Sequence, residues 1–217
     1  MLTTLLPPTA GDASIDGHSI IHEAVGVRRV IGYVPQLLSA DGSVTGYENL
    51  LIFSKLYDIP RRERKQRISN VLNFMGLSEF SNKLVRTYSG GMIRRLEIAQ
   101  AMLHRPKVLF LDEPTVGLDP VARKTVWQHI QQLQADYGTT IFLTTHYMDE
   151  ADQLCGRVAI MHLGKVAAIG SPSELKSSVG EGATLDDVFA YYSGAEVDTV
   201  GGYRETSRVR RTVRRIG

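Results

Sequence analysis

The sequence predicts an α/β fold, in which a parallel β-sheet is layered with helices and interrupted by a helical subdomain at about residues 44–104. Two observations carry this prediction. Beyond residue 104, apolar runs alternate with helical stretches: Val108–Leu111, Thr139–Thr144 and Val158–Met161 read as strands, with helices over Val121–Asp136 and Met148–Leu154 between them. Strands that are apolar on both faces and separated by helices belong in a buried parallel sheet. Between Ser43 and His104, by contrast, apolar residues recur at helical spacing with no strand among them.

In chain order, Met1–Leu6 reads as the end of a helix stopped by Pro7 and Pro8. Gly11–Gly17 reads as a short strand bounded by turn residues, and Val30–Val34 as a β-branched strand. A helix starts at Tyr47. Pro60 opens a second, whose stripe is Ile68, Val71, Leu72 and Met75. A third runs from Gly90 to His104, with Ile93, Leu96, Ile98, Ala101 and Met102 as its buried side. Later, Gly164 supplies the positive φ for a reversal into a strand at Val166–Ile169. Pro172–Ser177 and Thr184–Tyr192 read as two closing helices.

At 217 residues, 43% apolar and 22% charged, the chain has the composition of an ordinary globular protein. Its net charge of +2 is too small to require a polyanionic partner for the whole body. The basic character sits in the tail, where six arginines (Arg204, Arg208, Arg210, Arg211, Arg214, Arg215) stand against Glu205. The single cysteine, Cys155, rules out an internal disulfide and reads as a small buried hydrophobe. No apolar run approaches the ~20 residues that span a bilayer, and the N-terminus lacks the pattern of a secretion signal.

The strongest chemical signal is Val108-Leu109-Phe110-Leu111-Asp112-Glu113-Pro114. An apolar strand ending in acids places carboxylates at the carboxyl edge of a sheet, where α/β folds bind ligands. There one acid can hold a metal and its neighbour can take a proton from water. Tyr88-Ser89-Gly90-Gly91-Met92 leads directly into a helix, so a hydroxyl, two small residues and a helix N-terminus gather as an anion site is built. Gly117-Leu118-Asp119-Pro120 offers Asp119, whose bland role is a helix cap. Thr144-Thr145-His146 ends a strand, and Gln36 follows one in Tyr33-Val34-Pro35-Gln36. Each is weak alone; their order is not.

In that order the motifs resemble the ATP-binding subunits of ABC transporters, over about residues 1–192, with 193–217 as an Arg-rich tail. Val34-Pro35-Gln36 looks like the Q-loop, Tyr88–Met92 the signature, Leu109–Pro114 the Walker B strand, Gly117-Leu118-Asp119 the D-loop and His146 the switch histidine. Val44-Thr45-Gly46-Tyr47-Glu48-Asn49-Leu50 and the Ser171–Leu175 and Thr184–Phe189 segments are most similar to the daunorubicin-resistance type of drug exporter ATPase. The resemblance implies a P-loop NTPase fold with ATP and Mg2+ as ligands. It implies that Asp112 holds the metal through water, with Gln36 sensing metal and water, and that Glu113 is the general base. His146 would meet the γ-phosphate. Ser89, Gly90 and Gly91 would bind ATP held by a second ATP-binding subunit, homo- or heterodimeric, and Asp119 would bridge the two. The implied partner is a membrane-spanning permease, the implied location the cytoplasmic face of the membrane, and no nucleic acid is involved.

The phosphate loop G-x-x-x-x-G-K-[ST] is absent; Gly164-Lys165 is followed by Val166 and lies between late strands. The reading is therefore of an ABC domain truncated at its N-terminus, without its first strands and phosphate loop. Removing one donor from such a site costs roughly 3 kcal/mol, so loss of the whole loop predicts no turnover by the chain alone. Exposed strand edges predict poor solubility. Two other classes stay open: a non-enzymatic interaction module, and a soluble ABC ATPase of ribosomes or DNA. The 53-residue separation of Gln36 and Ser89 leaves no room for the long coiled coil of the DNA-repair members. Asp149-Glu150-Ala151-Asp152 spells a helicase motif without the preceding strand, and His18 and His22 lack zinc partners.

Overall fold

The computed structural model describes residues 1–194, which form two compact units that divide after His146. The Arg-rich tail expected from residue 193 falls almost wholly outside the described residues.

The first unit opens with a two-stranded antiparallel ribbon, β1 (Ser14–Ile15) and β2 (His18–Ser19). Asp16 and Gly17 both take positive φ, 49° and 83°, as the tight hairpin turn matching strand twist requires. Helix α1 (Ala24–Val30) follows and runs into β3 (Ile31–Val34). The helical layer comprises α2 (Gly46–Leu56), α3 (Arg61–Phe74) and α4 (Gly90–Met102). The chain returns through β4 (Val108–Asp112), α5 (Pro120–Tyr137) and β5 (Thr140–Thr144). β3, β4 and β5 form a parallel sheet in that order, with Val34 opposite Leu111 and Leu111 opposite Leu143.

Local chemistry sets the helix starts. Thr45 caps α2 in a reciprocal box: its hydroxyl accepts the Glu48 N–H at 3.1 Å, and the Glu48 carboxylate accepts the Thr45 N–H at 2.8 Å. Arg95 stitches the layer together, its Nη1 donating to the Met75 carbonyl at the end of α3 at 2.7 Å. β4 is the buried centre, with Leu109, Phe110 and Leu111 at 0, 6 and 1% exposure.

The second unit holds α6 (Met148–Leu154), the antiparallel hairpin β6 (Val158–His162) and β7 (Lys165–Gly170), and helices α7 (Pro172–Val179) and α8 (Leu185–Ser193). Its core is Ala151, Val158, Ile160, Leu175, Leu185 and Val188. Capping boxes at Ser171–Glu174 and Thr184–Asp187 start its last two helices, and Lys176 pairs with Asp152 at 2.8 Å. Cys155 is half-buried, and burial pushes its thiol up, away from reactivity.

The α/β class holds, and four expectations are corrected. Met1–Leu6 forms turns, not a helix: Thr4 sits at φ 59°, and its N–H bonds the Met1 carbonyl three residues back. Val30 ends α1, where its side chain packs on the cluster of Ile15, Ile20, Val27 and Ile31. β6 pairs antiparallel with β7 in its own sheet, because a tight turn at Leu163 and Gly164 brings the chain straight back. β5 alternates exposed and half-buried residues, its Phe142 half open to solvent, so it lacks the burial on both faces expected of Thr139–Thr144.

His104, just past α4, is half-buried and stacked on Tyr57 at 3.9 Å, and its Nε2–H donates to the Ile31 carbonyl at 2.9 Å. Its Nδ1 is buried without a hydrogen-bond partner. Burial pushes the imidazole pKa below its usual 6.5, Arg67 adds to this, and the Ile31 carbonyl partly opposes it. The unfolded chain thus binds this proton more readily than the native one. Stability from this residue is complete above pH 6.5 and is lost as pH falls below it. The expected outcome is an unfolding free energy that falls from pH 7.5 to 5.5, by at most about 1.4 kcal/mol per pH unit for one proton, read from denaturant melts. In His104→Gln that portion of the slope disappears.

Candidate functional site

Parallel pairing makes three chain segments leave the sheet at one edge. Asp112 ends β4 directly opposite Thr144, which ends β5. The Thr144 hydroxyl donates to Asp112 Oδ1 at 2.6 Å and accepts the Glu113 N–H at 3.2 Å. The same N–H reaches the Thr144 carbonyl at 3.1 Å. Glu113 itself has φ 47°, a left-handed conformation costly for a residue with a β-carbon and concentrated at functional sites. That twist turns its carboxylate toward the next segment, where Oε2 meets His146 Nδ1 at 2.9 Å and the His146 N–H at 3.4 Å. The Glu113 side chain is 19% exposed and that of His146 60%.

The charge on Asp112 is felt by two neighbours. Burial pushes the Tyr33 phenol up, and Asp112 adds to the effect. Burial also pushes the Arg94 guanidinium down, while Glu97 and Asp112 oppose that. A buried arginine thus lies within electrostatic reach of the edge carboxylate. Gln36 leaves the same edge, two residues beyond β3; its carbonyl accepts from Arg94 Nη2 at 2.7 Å, and its side chain is exposed.

A second group forms where two helices begin. Ser89 caps α4, its exposed hydroxyl accepting the Met92 N–H at 3.3 Å. Asp119 caps α5, Oδ1 accepting the N–H groups of Val121 and Ala122, each at 3.0 Å. A β-carbon on Gly91 would stand 2.8 Å from Ala122 Cβ, so glycine here is what lets the two helix starts approach. Gly90 is exposed beside Leu118.

Of the residues singled out from sequence, Asp112, Glu113 and His146 meet directly, Gln36 shares their edge, and Ser89, Gly90, Gly91 and Asp119 gather at the paired helix N-termini. Sequence reading missed Thr144, whose hydroxyl ties the two acids together. It also missed Arg94 and Glu97, although opposite charges three apart on an apolar helix face were there to be noticed. Among the described residues no three His, Cys, Asp or Glu side chains form a metal cluster. The carboxylates of Asp112 and Glu113 still fit Mg2+, which takes one or two carboxylates and completes its shell with water and phosphate. The site is an open rim: the cavity lined by Arg67, Phe74, Leu133 and Tyr137 lies elsewhere, among α3, α4 and α5.

Comparison with known proteins agrees with this geometry. The family model described as "ABC transporter" matches residues 1–116. The daunorubicin/doxorubicin resistance ATP-binding protein DrrA of Streptomyces peucetius is 45% identical over 180 residues, covering 83% of this chain and 54% of that protein. The chain spans about half the length of the curated relatives it matches. The solved structure of an ATP binding subunit of an ABC transporter superposes with a TM-score of 0.75 at 26% identity, covering 88% of this chain and 80% of that one. CbiO1 from Clostridium perfringens, part of the ABC transporter complex cbiONQ, gives 0.73 at 29% identity, covering 81% and 72%. With the motifs and these likenesses in agreement, the chain belongs to the ABC transporter family.

Proposed function

We propose that this chain serves as an ATP-binding subunit that couples ATP hydrolysis to export of a drug-like or lipophilic substrate through a separate membrane-spanning subunit. The observation that carries the reading is the linked set Asp112–Thr144–Glu113–His146 at the carboxyl edge of the parallel sheet. The similarity to a daunorubicin/doxorubicin resistance protein supports the substrate class. No helix among the described residues is long and apolar enough to cross a membrane, which fits a separate permease. Leu37 and Leu38, 82 and 51% exposed beside Gln36, supply apolar surface for docking it. The chain would work at the cytoplasmic face of the membrane.

In this mechanism Glu113 accepts a proton from the water that attacks the γ-phosphorus in line. Its carboxylate is held in place by His146 and by the bonds that Thr144 makes to its backbone. With Nδ1 turned to Glu113, Nε2 is the imidazole nitrogen assigned to a γ-phosphoryl oxygen. Asp112, fixed by the Thr144 hydroxyl, would hold the metal, with Gln36 assisting. Mg2+, when bound, neutralises charge developing on the phosphoryl oxygens. Ser89, Gly90 and Gly91, at the positive end of the α4 dipole, receive the γ-phosphate of ATP carried by a second ATP-binding subunit. Asp119, at the neighbouring helix start, bridges the pair.

The 217 residues include no G-x-x-x-x-G-K-[ST] segment. Purified alone, the chain is therefore expected to show no measurable ATP turnover in a phosphate-release assay; ordinary turnover would refute the assignment of phosphate binding to that missing loop. In a transporter assembled so that a phosphate loop completes this site, Glu113→Gln is expected to lower turnover at least ~100-fold while Mg·ATP still binds. Unchanged turnover would remove Glu113 from the role of base. Thr144→Val, which keeps shape and deletes the hydroxyl, is expected to lower turnover about tenfold, equivalent to about 1.4 kcal/mol. Thr144→Ser restores it.

A further inference from the structure

Helix α4 carries a row of polar side chains on its interior face. Arg94, Glu97 and Gln100 are only 1, 2 and 3% exposed, and their spacing of three aligns them along the helix. All three reach toward the segment that leaves β3. Arg94 Nη1 donates to the Pro35 carbonyl at 2.7 Å and to Glu97 Oε2 at 3.0 Å, while Nη2 donates to the Gln36 carbonyl at 2.7 Å. Glu97 Oε1 accepts the Ser39 N–H, the Ser39 hydroxyl at 3.2 Å and the Ala40 N–H at 3.3 Å. Gln100 Nε2 donates to Asn49 Oδ1 at 3.3 Å; that oxygen accepts the Asp41 N–H at 3.1 Å, and Asn49 Nδ2 donates to the Asp41 carbonyl at 2.9 Å.

The backbone of 35–41 thus has side chains of the helical layer where a strand would have a neighbouring strand. Stability alone does not explain such a row. Burying a guanidinium and a carboxylate is expensive, and apolar residues of similar volume often serve as well or better. Arg94 Nε is even left buried without a hydrogen-bond partner. What the row does achieve is a defined path for 35–41, anchored at both ends, with Leu37 and Leu38 turned out between the anchors. Ser89, the α4 cap, stands on the same rigid helix as the row.

We propose that Arg94, Glu97 and Gln100 form a clamp that makes the Gln36 segment and helix α4 one mechanical body, so that events at Ser89–Gly91 and at Gln36 bias each other. Arg94 and Glu97 are positioning residues. The significance of the two ends rests on the nucleotide-site reading above; the clamp does not. Coupling of this kind is reciprocal, since each end changes the free energy of the other by the same amount.

The test is amide hydrogen exchange by mass spectrometry on the full chain, with a melting curve for each variant. In Arg94→Met combined with Glu97→Leu, which replaces the ion pair by apolar side chains, exchange over 36–41 is expected to rise at least ~10-fold while β4 and α5 stay within about twofold. Glu97→Gln keeps an oxygen for Ser39 and Ala40 and is expected to stay within about threefold of the parent. Should the double variant fail to fold, Arg94→Lys decides, because one ammonium cannot span both carbonyls: acceleration confined to 36–41 supports the clamp. Unchanged exchange at 36–41 in a folded variant, or equal acceleration in β4, overturns it. Mg·ATP, added together with a second ATP-binding subunit that carries a phosphate loop, serves as the ligand probe. Protection at 89–91 that extends to 36–41 in the parent but not in the double variant supports the coupling; protection of both segments in the double variant overturns it. Absence of protection at 89–91 in the parent counts against the nucleotide reading and leaves the exchange result for the clamp standing.

Discussion

The burial of β4 between two parallel neighbours governs this molecule. Leu109 and Leu111 are almost fully enclosed, so the strand cannot slide or flip without placing apolar groups in water. Asp112, the next residue, is therefore held at the rim with its carboxylate opposite Thr144. Parallel pairing also forces long crossovers, because a strand must return to the same starting edge before the next can begin. One crossover, residues 35–107, contains the entire helical layer; the other is α5 with its turns. Both start from the edge where Asp112 stands. Chemistry-bearing residues distant in sequence are thus delivered to one rim by topology, before any specific bond forms among them.

What the specific bonds add is rigidity. A left-handed Glu113 costs of order 1–3 kcal/mol, and such a conformation persists only where the surroundings over-determine it. Here two bonds from its N–H to Thr144 and two contacts from its carboxylate to His146 do so. The arrangement is prepared before any ligand arrives, as electrostatic catalysis requires. On the other side of β4, the buried Arg94 holds the path of Gln36 and opposes the charge of Asp112. One strand thereby links the Glu113–His146 pair to the segment that α4 holds.

Much of this was legible in the sequence. An apolar run ending in two acids can hardly be placed except as a central strand reaching a sheet edge. Other features depend on partners that no local pattern records. The apolar Met1–Leu6 segment looks helical but turns at Thr4. Val30 has strand propensity, yet its contacts with Val27 and Ile31 leave it on a helix. β5 reads as fully buried because it is β-branched and aromatic, but one of its faces is left open to solvent, so alternate residues are exposed. β6 reads like the parallel strands before it, and only the reversal at Gly164 decides its antiparallel partner. The apolar pattern of α4 concealed its most informative face: Ile93, expected inside, is half-exposed, whereas Arg94, Glu97 and Gln100 are buried. Patterning assigns charge to the surface, and a charge buried for a backbone partner 58 or 59 residues away violates that assumption.

The site's openness bears on how such a rim could act. Charge stabilisation is strong where water is excluded and weak where it is not. Yet His146 is largely exposed, and so are Ser89 and Gly90. Neither the strand edge nor the paired helix starts encloses a phosphate by itself. Gly91 brings the second group of residues, around α4 and α5, to within van der Waals distance of one another, so its shape is already fixed. Two preformed but open surfaces, one bearing carboxylates and an imidazole and the other a hydroxyl and helix N-terminal amides, gain their full electrostatic strength only when a second body covers them. This is the physical reason for proposing that a pair of subunits, with the triphosphate between them, is the unit that hydrolyses ATP.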